Sequence, residues 1–215
     1  MGAKTWMLAY SNGDVASALR AKPALDRAKS AEAAEHLFPG DKLEPIGDGS
    51  LIDTCPPDNE AYIGCFGGVT IVAAKEFGLD RPSQLPASFL EHRLGSHIYL
   101  HAMHSVVDWF AFAAWDSGEL RRSLSLSPDD GIIEDIGDRL EFEAPYWSGV
   151  HPAVDDEEEE PYPFPFHPLD LGEATLYSLF GYCLEGPSEW LTFEPEDVPL
   201  LRFGRTKMKP WWKIW

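Results

Sequence analysis

Apolar residues are crowded along Ala3–Tyr10, and the turn signal Ser11-Asn12-Gly13-Asp14 follows at once. This pattern predicts a short buried strand and then a helix with Asp14 as its N-cap and Val15, Ala18 and Leu19 facing inward. After Pro23 the alanine-rich segment Ala24–Leu37 predicts a second helix, ended by Phe38-Pro39-Gly40. From Lys42 the period becomes strand-like. Leu43–Ile46 and Ser50–Thr54 flank Gly47-Asp48-Gly49, which has the composition of a hairpin turn. Ala61–Phe66 and Val69–Ala74 predict two more strands joined by Gly67-Gly68, and Ala87–His92 a short helix.

The longest nearly unbroken apolar run lies inside His97–Ser127. Ile98, Leu100 and Ala102 alternate there with His97, Tyr99 and His101, and Val106–Trp115 reads as a central strand covered on both faces. Asp116-Ser117-Gly118-Glu119 turns the chain, and the return strand places Arg122, Leu124 and Leu126 opposite Ser123, Ser125 and Ser127, a serine ladder of the kind that wets a sheet face. Leu140–Phe142 predicts a further strand. The acidic run Asp155–Glu160 and the alternating Pro and aromatic residues of Pro161–Pro168 predict an extended surface crossing. Asp170 and Glu173 have capping-box spacing, and a helix is expected from Asp170 to Glu185, followed by an edge strand over Asp197–Phe203. The expected fold is α+β, a mainly antiparallel mixed sheet with helices packed on one side, with residues 1–198 as a single domain and 199–215 as a basic, Trp-rich tail.

Composition narrows the function classes. A formal charge of −19 repels phosphate backbones and anionic membrane surfaces, so no nucleic-acid partner is expected for the acidic body. Three cysteines, none in a CxxC pair, fit a reducing compartment. With no apolar window long enough to span a bilayer and no signal-like N-terminus, the expected location is cytoplasmic.

Several blocks, MGAKTWMLAY, LHAMHSVVDWFAFAAW, RRSLSLSPDDGI, APYWSG and PYPFPFHPLDLGEATLYSLFGYCLEG, are similar to an uncharacterised actinobacterial domain-of-unknown-function family. The resemblance spans most of residues 1–186. It implies a cytoplasmic bacterial protein and transfers no catalytic residue.

Candidate chemistry concentrates in two places. His97, His101, His104 and Asp108 have the donor types of a transition-metal site, and their steps of four, three and four would share one helix face. The strand-forming residues around them instead place His97 and His101 on one face and His104 on the other, unless a bulge near Ser105 intervenes, and no metal or cofactor is expected from this arrangement. A hydrolase would use His101 or His104 as base with Asp108 orienting it, and Ser123, Ser125 or Ser127 as nucleophile, but no GxSxG elbow presents a serine. The second place is the carboxylate-rich segment around Glu141, Tyr146 and Trp147, a composition suited to sugars or cations. The expectation that best fits the chain is a non-enzymatic protein-binding or regulatory module, a protective one included, acting on a protein partner or as a homo-oligomer. A hydrolase or metal-dependent enzyme using His101, His104 and Asp108 is the alternative.

Overall fold

The computed structural model describes residues 2–92, 94–153 and 162–208. The acidic run and the last residues of the tail, with Trp211, Trp212 and Trp215, lie outside the described residues. Nine strands form one sheet: β1 (Lys4–Ser11), β2 (Asp41–Ser50), β3 (Glu60–Phe66), β4 (Val69–Ala74), β5 (His97–His104), β6 (Trp109–Asp116), β7 (Glu119–Ser127), β8 (Gly131–Ile136) and β9 (Pro199–Lys207). Their order is β2-β9-β3-β4-β1-β5-β6-β7-β8, and every adjacent pair is antiparallel. The α+β expectation holds, and the sheet is antiparallel throughout these pairs rather than mixed.

Helices cover both faces, not one. Met7 and Ala9 of β1 join a core with α1 (Val15–Arg20) and α5 (Pro168–Phe180), through Val15, Leu19, Leu171 and Leu176. Trp6, Leu8 and Tyr10 point the other way, into a second core with Ala33, Ala34 and Leu37 of α2 (Arg27–Leu37) and Phe89 of α3 (Ala87–Glu91). The physical reason is visible in the strands. β3, β4 and β6 are buried at nearly every position, and a strand apolar on both sides requires a cover on each.

Local signals set several elements directly. Asp14 and Asp26 cap α1 and α2, each accepting a backbone N–H into its side chain. The β6–β7 turn has φ +54 at Ser117 and +84 at Gly118, two successive left-handed residues as a tight hairpin requires. Other elements depend on partners distant in sequence. The expected hairpin at Gly47 is a bulge (φ +132) within one continuous strand, because both halves of β2 pair with the same partner, β9. β9 lies between β2 and β3, not at an edge, so Pro199–Lys207 of the basic segment is part of the sheet. Arg205 there meets Asp41 and Glu76, and Arg202 meets Glu60.

The central strand begins later than expected. Val106, Val107 and Asp108 form the exposed tip of the β5–β6 hairpin, Asp108 with φ +46, and the pairing resumes at Trp109. Leu140–Phe142 is no strand; Glu141–Glu143 makes a single 3-10 turn leading into α4 (Ala144–Trp147), and β8 takes the edge position instead. α5 stops at Gly181, whose φ of +80 closes the helix before the expected end at Glu185. The serine ladder of β7 is buried rather than wet: Ser123 Oγ donates to Glu134, Trp109 Nε1 donates to Ser125 Oγ, and Ser127 Oγ donates to Asp130.

Candidate functional site

The alternation of β5 decides the fate of the histidines. His101 points toward α5 and is fully buried, with Nε2 3.0 Å from the Gly172 carbonyl and Nδ1 2.7 Å from Thr5 Oγ1. A carbonyl can only accept, so Nε2 carries the proton and Nδ1 accepts from the threonine hydroxyl. Both ring nitrogens are thus occupied, and burial pushes the pKa down to about 4. The helix approaches closely enough for this bond because residue 172 is glycine; a Cβ there would lie 3.1 Å from Met103 and Phe110.

His104 is on the opposite face, tilted against Trp6 at 5.9 Å, and burial followed by the charges of Lys4 and Lys75 lowers its pKa. It lines a cleft of about 320 Å³ with Trp109, Asp80 and Asp130. Asp108 turns toward His167, with Oδ2 3.6 Å from Nε2. His101, His104 and Asp108 therefore do not converge. Among the described residues no group of three or more His, Cys, Asp or Glu is placed to hold a metal ion.

The second set is more coherent. Arg122 on β7, fully buried, donates from Nε and Nη2 to both oxygens of buried Glu143, at 2.9 and 2.7 Å. Its Nη1 reaches Asp135 and the carbonyls of Ser123 and Ile136. Glu143 also accepts from the Leu140 N–H at 2.8 Å and the Trp147 indole at 3.4 Å. One ion pair thus ties the segment that carries Glu141, Tyr146 and Trp147 to the sheet. Glu141 is exposed and Trp147 holds Arg139 over its ring at 3.9 Å. Tyr146 lines a cleft that Glu141 and Trp147 do not.

That cleft, about 470 Å³, lies between α4, the first turns of α5 and the Glu185–Trp190 segment. His151 lies over Tyr146 at 4.6 Å, and His167 is stacked with Tyr162 at 5.8 Å. His167 is the N-cap of α5, its Nδ1 accepting the Leu169 N–H at 3.3 Å. Asp170 follows in the first turn, and its charge, after burial, raises the Tyr146 phenol to about 12. Burial, Asp108 and Asp170 bring Tyr162 to about 12 as well, and its buried hydroxyl has no partner among the described residues. Glu173 accepts the N–H groups of Leu184 and Glu185 at 2.7 and 3.1 Å, so it fixes the far wall; burial outweighs these bonds and raises its pKa. A larger cleft of about 520 Å³ beside α2 is lined by the exposed side chains of Lys29, Glu32 and His36 together with buried Cys65 and Thr70.

Residues 5–203 match the model of a family of unknown function, DUF6928. The chain belongs to this family. No curated protein and no solved structure matches it. The DUF6928 match runs from Thr5 of β1 to Phe203 of β9, so it takes in β2 to β8 whole, parts of β1 and β9, and the residues that line the α4–α5 cleft apart from Ala3. No helix among the described residues of this DUF6928 chain is long and apolar enough to cross a membrane. Sequence reasoning named Tyr146 but missed His151, His167, Asp170 and Trp190 as its companions. The usable signal was the pairing of His167 with Pro168 at a helix start; the approach of Glu185–Trp190 has no local signature.

Proposed function

We propose that this DUF6928 chain is a non-enzymatic binding module that engages a protein partner, with the α4–α5 cleft as its contact. The observation that supports this reading is the cleft itself. It combines Tyr146, Trp190, two imidazoles and the carboxylates of Asp170 and Glu185 on a wall held by buried Glu173. Such an aromatic and polar concavity on a rigid scaffold is suited to recognition. The residues a hydrolase would need are apart: His101 is enclosed with both nitrogens engaged, and the serines of β7 are inside the fold. The net charge of −19 favours a partner with a basic surface and a fast, salt-sensitive encounter.

The test is a photo-crosslinker placed at Leu191, beside the cleft, followed by identification of the captured protein and reconstitution from purified components. Trp190→Ala is expected to weaken the reconstituted complex at least tenfold, since aromatic anchors carry much of an interface's energy. Unchanged affinity in this variant, or ester hydrolysis by the purified chain that disappears in His104→Ala, would overturn the reading.

A further inference from the structure

We infer that the α4–α5 cleft is a site for an organic cation, a guanidinium head group in preference to an ammonium. The inference rests on the cleft being a recognition surface and names what that surface recognises. Its basis is a pattern that recurs in the same molecule. Arg122 lies 5.8 Å from the Phe112 ring centre and pairs with Glu143. Arg205 lies 4.0 Å from that of Phe38 and pairs with Asp41 and Glu76. Arg202 lies 5.1 Å from that of Tyr62 and pairs with Glu60. In each case an aromatic face next to a carboxylate holds a guanidinium, the arrangement that satisfies a planar cation by ring quadrupole and by charged hydrogen bonds together.

The cleft has the same composition without the cation. Trp190, which stacks on Tyr177, supplies the ring, and Asp170 and Glu185 supply exposed carboxylates, while Tyr146 is buried beneath His151. No Lys or Arg lines it among the described residues. A volume of about 470 Å³ admits one head group with its alkyl stem, and not a folded element. His151 and His167 complete the lining as hydrogen-bonding groups.

The experiment is a titration of the full chain with butylguanidinium, butylammonium, the neutral isostere butylurea and butyrate, followed by NMR and calorimetry. Butylguanidinium is expected to bind saturably and at least tenfold more tightly than butylurea, butylammonium less tightly than butylguanidinium, and butyrate not at all. Asp170→Asn and Trp190→Leu should each weaken butylguanidinium at least fivefold with the melting temperature unchanged within a few degrees. Equal binding of butylurea, equal or tighter binding of butylammonium, or an unaltered affinity in Asp170→Asn, overturns the proposal. A blocked arginine peptide added as a second arm identifies the source: tighter binding than butylguanidinium assigns the head group to a protein, and equal binding assigns it to a small guanidine. Cation selectivity without an effect of Trp190→Ala on the protein complex would remove the protein-partner reading alone. A cleft-dependent complex without cation selectivity would remove this inference alone.

Discussion

Arg122→Met is expected to lower the unfolding free energy by about 3–5 kcal/mol, the range seen when one member of a buried ion pair is removed. The guanidinium is fully buried and so is the carboxylate of Glu143, so the substitution leaves a carboxylate without its counter-charge in a dry environment. Asp135 is partly exposed and is rescued by water. The consequence reaches the cleft, because Glu143 also receives the Leu140 N–H and the Trp147 indole and so holds the turn that carries Tyr146. Urea unfolding of Arg122→Met, Glu143→Met and the double variant measures the coupling. The double variant should cost about 2 kcal/mol less than the sum of the singles, since it removes both charges at once. Strict additivity would show that the two side chains act independently, and the anchoring role would fall with it.

Acid should weaken the fold through His101. Its folded pKa of about 4 lies below the ordinary value of 6.5, so between those values the unfolded chain binds a proton that the folded chain refuses. Stability is therefore fully retained above about pH 6.5 and declines as the pH falls toward 4, by about 3 kcal/mol over the whole window. The neutral variant His101→Gln keeps a donor for the Gly172 carbonyl and an acceptor for Thr5 but cannot titrate. Denaturant unfolding at pH 7 and pH 5 should show wild type losing about 2 kcal/mol more than this variant. Equal losses would assign the acid sensitivity to other groups.

The chain's short-range grammar was legible to a large degree. Asp14 and the Ser117-Gly118 turn announce their elements, and the run Val106–Trp115, apolar at nearly every position, announces a strand covered on both faces, although the helices are expected on one side and pack on both. The split of His101 from His104 followed from strand alternation alone. The cleft was legible only in part. Tyr146 stood out beside acidic residues, but the reason it faces a cavity is the Arg122–Glu143 pair, which joins positions on β7 and the turn before α4.

Pattern, turn residues and charge by themselves determined that this protein is an antiparallel-rich α+β fold with an acidic character and with His101 and His104 on opposite faces of a strand, because these depend on periodicities of two and 3.6 residues and on local backbone preferences. Only the tertiary structure decided that β9 enters between β2 and β3, that the serines of β7 and Arg122 are buried, and that Asp170, Tyr146 and Trp190 share one cleft. Those outcomes depend on pairing and desolvation between residues far apart in the chain. A single segment does not encode which distant carboxylate or strand will compensate its buried polar groups.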